Sequence, residues 1–245
     1  KRKEAQIQES LKIRDEFLSV ASHELKTPLT SMKLQTQSRI HRLKKGEYAF
    51  FDQERLTLIF QKDSQQLDRI NRLVDDMLDI SRITSGKLSI RREVFDLREV
   101  LKEMVERHMI EIQQSKSEVV LNYDGPVIGN WDRFRIEQVI TNLLNNAIKY
   151  GNKKKINISV QQIGSEACLI VQDYGIGIAK EFQLKIFDRF ERAISASEVS
   201  GLGLGLYIVK EILQMHGGRI TVESDLGQGS KFIVNLPLHM HEVGL

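Results

Sequence analysis

The sequence predicts two domains of different class. An N-terminal all-α helical hairpin, paired with a second copy as a four-helix bundle, precedes an α+β sandwich whose mixed sheet carries helices on one face. Three observations predict this. Apolar residues recur every seven positions in two stretches: Leu11, Leu18, Leu25 and Met32, with Ile7, Ala21 and Pro28 in register, then Leu56, Ile70 and Met77 beside Phe60, Leu67 and Val74. The heptads stop at Ser85-Gly86-Lys87. Beyond that point short strand-like runs alternate with helical periods, the pattern of an α+β layer fold.

Each element has a local reason. Residues 1–45 read as one helix with no cap before it, so it is expected to continue a helix from an upstream sensor or linker domain, the chain being a fragment. Gly46 is a helix-ending residue, and a second helix follows over 52–84. Two helices joined by so short a loop form an antiparallel hairpin. One hairpin cannot cover both apolar stripes, whereas two can, so a homodimer through residues 1–86 is expected. The boundary at 85–87 divides a domain 1–86 from a domain 87–240 and a tail 241–245. In the second domain a strand is expected over 88–94. Asp96 and Glu99 form a capping-box pattern that opens a helix running to about 116. Strands follow at 119–123 and 127–131, and Asp132 caps a helix ending at Tyr150, just before Gly151. Further strands are expected at 156–162 and 167–172, a helix at 205–215 stopped by Gly217-Gly218, and strands at 219–224 and 230–236.

Composition narrows the function classes. The chain has 245 residues, 41% hydrophobic and 28% charged, as in soluble globular proteins. No apolar run approaches the roughly 20 residues that span a bilayer. Cys168 is the only cysteine, which rules out a disulfide framework and places the fragment in a reducing, cytoplasmic setting, with membrane attachment upstream left open. Net charge is +3, all of it in residues 1–86, which hold 16 basic and 13 acidic side chains. No basic stripe concentrates that charge, so nucleic acid is not an expected partner.

The residues with chemical promise fall into two groups. The first is Ser22-His23-Glu24-Leu25-Lys26-Thr27-Pro28. With Leu18 at a and Ala21 at d, His23 takes the outermost f position, one turn before Thr27 on the same face. Pro28 has no N–H for the carbonyl of Glu24 and is expected to bend the helix locally. An exposed histidine beside a carboxylate suits a nucleophile that meets large partners; taken alone, a surface histidine near a tolerated proline fits equally well. The second group lies in the second domain. Asn142 and Asn146, i and i+4, share a helix face that Lys149 and Tyr150 extend. An asparagine oxygen can join a Mg²⁺ shell without adding negative charge beside phosphates, although such a face is also what an ordinary polar helix surface looks like. Asp173-Tyr174-Gly175-Ile176-Gly177 follows an apolar strand; its glycines allow close backbone approach, and Asp173 can accept from an exocyclic amine such as that of adenine. Gly201-Leu202-Gly203-Leu204-Gly205 opens a helix whose free N–H groups suit a polyphosphate. Taken singly, such glycine-rich loops are also simple turns. Residues 193–200, small and polar, read as a lid or as a surface loop.

Together and in this order, these stretches resemble the sensor histidine kinases of two-component signalling. His23 to Pro28 resembles the H box, Asn142 to Tyr150 the N box and Asp173 to Gly177 the G1 box. Phe187-Asp188-Arg189-Phe190-Glu191-Arg192 resembles the F box, Gly201 to Gly205 the G2 box and Gly227-Gln228-Gly229-Ser230 the last glycine motif. Tyr174 stands where asparagine is usual, and Leu202 and Ser230 where threonine is common. The resemblance implies a dimeric phosphoacceptor domain followed by a Bergerat-type ATP-binding sandwich that uses ATP and Mg²⁺. It implies that Asp173 recognises adenine, with Gly175, Gly177 and Ser230 beside it. Asn146 would hold Mg²⁺, and Asn142, Lys149, Tyr150, Arg192, Gly201, Gly203 and Gly205 would line the phosphates. ATPases of this fold carry a glutamate base at the position of Asn142, so the γ-phosphoryl group is expected to await another nucleophile. By the same resemblance that nucleophile is His23. Glu24 would orient its ring or take its proton, and Thr27 would place water for dephosphorylating the receiver domain of a response regulator, to whose aspartate His23 passes the group.

Overall fold

A computed structural model describes residues 2–191 and 202–239, with side chains described from residue 18 onward. The chain divides into two compact units, one spanning Lys1–Arg82 with Ser200–Leu202, the other Ile83–Val199 with Gly203–Leu245.

The first unit is a helical hairpin. Helix α1 runs Arg2–Lys44 without interruption through Pro28, and α2 runs Gln53–Thr84. Between them Gly46 adopts φ +75°, the left-handed conformation that ends helices, and Tyr48–Phe51 forms one 3₁₀ turn. The stem is held by apolar and polar layers. Ala21, Pro28, Leu73 and Ile80 are buried. Arg39 forks onto both oxygens of Asp63 at 2.6 and 3.0 Å, a bidentate pair that fixes the register of the two helices. A second apolar row stays open: Leu18 and Leu29 on α1, and Phe60, Leu67 and Val74 on α2, are exposed. The expected rows through Leu18 and through Phe60, Leu67 and Val74 are therefore the uncovered stripe of a single hairpin.

Near the far end of α2, burial and the neighbouring Asp79 and Asp75, opposed by Arg72, push the carboxyl of Asp76 up to about 7. A carboxyl raised in the folded state binds a proton that the unfolded chain has already lost. Its stabilising share is complete below pH 3.8 and disappears as pH rises through about 7. Thermal melts of the wild type should lose several degrees between pH 5.5 and 8 through this group. Asp76→Asn should flatten that decline, leaving it the more stable protein at pH 8; parallel melting curves for the two proteins would refute the assignment.

The second unit is built on a five-stranded mixed sheet. Its strands are β2 (Val119–Tyr123), β4 (Ile156–Ile163), β5 (Glu166–Asp173), β7 (Gly229–Pro237) and β6 (Arg219–Asp225), in the order β2-β4-β5-β7-β6. Only β2 and β4 are parallel; the other neighbours are antiparallel. Alternate residues of β5 and β7, such as Leu169, Val171, Val234 and Leu236, are buried beneath the helices. Those helices are α3 (Leu97–Arg107), the short α4 (Met109–Ser115), α5 (Arg133–Tyr150) and α6 (Gly205–Met215).

Two expectations need correction. The strand placed at 88–94 begins only at Glu93: β1 (Glu93–Asp96) pairs with β3 (Ile128–Trp131) as a separate two-stranded ribbon. The residues before it meet side chains instead of a ladder, since the Arg91 N–H donates to the Asp132 carboxylate at 2.7 Å. The helix expected over 96–116 divides into α3 and α4 at His108, whose Nδ1 lies 2.8 Å from the Met104 carbonyl oxygen. Asp96 caps α3 as expected, accepting from the Arg98 N–H.

Asp132 joins several of these parts. Its carboxylate accepts the N–H of Arg135, capping α5, as well as that of Arg91. Its own N–H donates to Nε2 of buried His216 at 2.9 Å, so His216 carries its proton on Nδ1 and donates it to the Ile212 carbonyl. Burial, with Arg92 nearby, holds His216 below the usual histidine range. The start of α5 and the end of α6 are thereby locked together, which sets where their other ends lie.

Candidate active site

On the hairpin, the side chain of His23 is 80% exposed, while that of Glu24 beside it is only 15% exposed. Imidazole Nδ1 lies 3.9 Å from Glu24 Oε1. With Nδ1 turned toward the carboxylate, Nε2 is the nitrogen left for a reaction partner. Thr27 donates its hydroxyl to the His23 carbonyl at 3.0 Å, one turn along. Pro28 supplies no N–H to the next carbonyl, that of Glu24. The backbone under His23 is thus held by a side chain on one carbonyl and left without its helical donor on the following one.

In the second unit four sequence-distant segments converge. Asp173, at the end of β5, is 4% exposed and accepts the Gly175 N–H at 2.9 Å. Burial raises its carboxyl above the usual aspartate range, opposed by the N–H groups of Gly175 and Ser230. A Cβ on Gly175 would stand 1.8 Å from the Tyr150 carbonyl oxygen, so the turn after β5 lies on the end of α5. Gly177, at φ +70°, packs against the Asp225 carbonyl, and the Gly227 N–H donates to the Ile176 carbonyl. A Cβ on Gly229 would meet the Asp173 carbonyl oxygen at 2.2 Å. Ser230, buried, lies 3.0 Å from the Ser224 hydroxyl.

The fourth segment is the start of α6. A Cβ on Gly205 would stand 2.7 Å from Asn142 Oδ1, while Asn142 Nδ2 donates to the Gln138 carbonyl. The cap residue of α6, Leu204, has no side-chain oxygen to cover the first N–H groups. Asn146 is half-buried one turn beyond Asn142, and Lys149 sits with its ammonium 5.0 Å from the Tyr150 ring. Gly203, at φ +68°, packs on the backbone of Phe190 and Glu191. Arg192 and Gly201 lie outside the described residues.

Three contacts were not foreseen. Arg189 donates to the Tyr207 hydroxyl at 2.6 Å with its guanidinium over the ring, joining the F-box stretch to α6. The Tyr174 hydroxyl accepts from Asn157 Nδ2 at 2.8 Å. Arg69 of α2 reaches Glu24 at 3.8 Å. The first joins Arg189 of the F-box stretch to Tyr207, two residues beyond Gly205 and outside either motif; the others depend on sheet and hairpin register, which no local pattern carries. Among the described residues no three His, Cys, Asp or Glu side chains gather as a metal cluster. Among them, too, no helix is long and apolar enough to cross a membrane.

Comparison with known proteins agrees across the chain. A His Kinase A (phospho-acceptor) domain model matches residues 13–86. A model for histidine kinase-, DNA gyrase B- and HSP90-like ATPases matches residues 131–240. Sensor protein SrrB of Staphylococcus aureus is 33% identical over 228 residues, covering 92% of this chain and 38% of that protein, so the chain spans well under half of the curated relatives it matches. The Acinetobacter baumannii histidine kinase AdeS superposes with a TM-score of 0.66 at 28% identity, over 88% of this chain and 98% of that one. Histidine kinase ThkA, solved with the response regulator protein TrrA, gives 0.65 at 25% identity, over 97% and 65%.

Proposed function

We propose, for a chain that belongs to the sensor histidine kinases of two-component signalling, that it transfers the γ-phosphoryl group of ATP to His23 and then to an aspartate of a response regulator. The observation that carries this reading is the convergence of the Asp173 turn, the Gly229-Ser230 turn and the open start of α6 beside Asn142. It offers an acceptor for an adenine amine at one end and unsatisfied N–H groups for phosphates at the other. In this reading residues 1–86 serve as phosphoacceptor and dimerisation domain and 87–240 as ATP-binding domain.

Asn146 suits Mg²⁺: the amide oxygen of a half-buried asparagine, with no acidic cluster among the described residues, matches a cation that brings its own waters and phosphate ligands. Bound there, Mg²⁺ would neutralise charge on the transferring phosphoryl group. Neutral His23 attacks through Nε2. The N–P bond forms as the β–γ bridge P–O bond breaks and ADP departs, and the Nδ1 proton passes to Glu24. Thr27 orients the water that later hydrolyses the receiver's aspartyl phosphate. The uncovered row of Leu18, Leu29, Phe60, Leu67 and Val74 supports pairing with a second copy through residues 1–86. A receiver domain as partner is supported by the ThkA complex with TrrA.

The test is the chemistry of the label. Incubated with γ-labelled Mg-ATP, the protein should take up phosphate that is labile in acid, stable in base and confined to the peptide containing His23. Thr27→Ala should label normally yet dephosphorylate a phosphorylated receiver at least about ten-fold more slowly. Acid-stable label, or steady phosphate release with no phosphoprotein, would overturn the reading.

A further inference from the structure

The carboxylate of Glu24 is shared. Oε1 faces His23 Nδ1 at 3.9 Å, and Oε2 faces Nη2 of Arg69 at 3.8 Å. Arg69 comes from the opposite helix of the hairpin and is itself 29% exposed, less than half the exposure of the histidine. Both separations are ion-pair distances longer than hydrogen bonds. The carboxylate therefore stands between an imidazole and a guanidinium and is fully committed to neither.

A glutamate on a helix surface has several staggered rotamers, most of which carry its oxygens away from the preceding side chain. Neighbours at i and i+1 do not face each other on an α-helix. Nothing in α1 alone therefore holds Glu24 toward His23. A cation presented across the hairpin does, because it attracts the same carboxylate from the other side. The pairing is built into the stem: the Arg39–Asp63 fork fixes the two helices in the register that sets Arg69 opposite Glu24.

We infer that Arg69 is a positioning residue for phosphoryl transfer, holding Glu24 where it can take the Nδ1 proton of His23. The inference rests on the reading of His23 as phosphoacceptor. Before transfer, the guanidinium balances the carboxylate charge. As His23 Nε2 bonds to phosphorus and its ring turns cationic, Oε1 accepts the Nδ1 proton, and phosphohistidine is left neutral at the ring. Arg69 touches neither nucleotide nor phosphorus and acts only through Glu24.

A double-mutant cycle tests this by single-turnover labelling, which follows rates over several decades. Arg69→Gln should slow transfer about five- to ten-fold with the KM for ATP unchanged, Arg69→Lys should restore most of the rate, and Arg69→Gln should add nothing in a Glu24→Gln background. Melting temperatures within a degree or two of each other would accompany this. Equal losses in both backgrounds, or equal losses for Gln and Lys, would make Arg69 a structural residue and overturn the inference, as would an unchanged rate. If Glu24→Gln leaves no measurable transfer, the contrast between Lys and Gln at equal melting temperature decides. A wild type that takes no label on His23 would instead sink the kinase reading itself.

Discussion

Asp173→Asn should lower ATP affinity by about 100-fold or more while leaving the empty protein as stable as the wild type, or more so. The two halves of this expectation have one cause. The Asp173 carboxylate is 4% exposed and accepts the Gly175 N–H, with the Ser230 N–H as a further donor. Such a group offers only acceptors. An asparagine keeps one acceptor but turns an N–H₂ toward either a backbone N–H or the adenine amine, and both are donors. Binding thus loses a charge-assisted hydrogen bond and gains a donor–donor contact. In the empty protein the balance differs, because burial already raises the Asp173 carboxyl above its usual range and the neutral amide relieves that strain on folding. Calorimetric titration with ATP beside thermal melts separates the two. Affinity within a few-fold of wild type would remove Asp173 from the adenine site. The raised carboxyl also sets the pH sense: wild-type affinity should weaken on acidification sooner than an ordinary aspartate would allow, and the asparagine variant should show no such dependence.

What could be read from the sequence had local causes. The ends of α5 are announced by an aspartate that caps and by a glycine after the last turn, and the start of α6 by the third glycine of its motif. The hairpin followed from heptads and one glycine. The same local logic misread residues 88–92, where apolar and β-branched residues have strand propensity but no neighbouring strand to pair with. It also missed the interruption at His108, where a ring nitrogen competes at a helix carbonyl. The glycines of the site are the more instructive case. Their spacing marked them, on the reasoning that the backbone must approach a ligand. At Gly175, Gly177 and Gly229 the close neighbour is the protein's own backbone: the carbonyls of Tyr150, Asp225 and Asp173. These glycines let the turn after β5 lie between α5 and the β6–β7 turn, and so bring Asp173 and Ser230 together. That dependence reaches from Gly229 back to Asp173, 56 positions away in the chain, and local spacing cannot express it. Arg69 was illegible for a related reason, since its role appears only once two helices are set in register.

His23→Gln should abolish labelling, a fall of at least about 1000-fold, without turning the protein into a hydrolase. The second clause separates kinase from ATPase. A hydrolase needs a base to activate water beside the γ-phosphate. At the position to which the family resemblance assigns that base in ATPases of this fold stands Asn142, whose Nδ2 is committed to the Gln138 carbonyl and whose Oδ1 faces the start of α6 at Gly205. An amide oxygen so placed can position a phosphate or a water but does not take up a proton at neutral pH. Deprived of His23, bound ATP has no internal acceptor and should remain intact for hours. Nucleotide affinity should match the wild type, because Asp173, Ser230 and the start of α6 are untouched. Asn146→Asp offers the complementary arm: it keeps the nucleophile, places a negative charge beside the phosphates, and should lose labelling through the nucleotide site. Label uptake and inorganic phosphate release, followed in the same reaction, read all of this at once. Label surviving in His23→Gln would mean another nucleophile; phosphate release that continues in both variants would mean that water reacts at a site whose base has been misidentified. Intact ATP in His23→Gln, beside rapid labelling of the wild type, leaves phosphoryl transfer to histidine as the reaction for which this site is arranged.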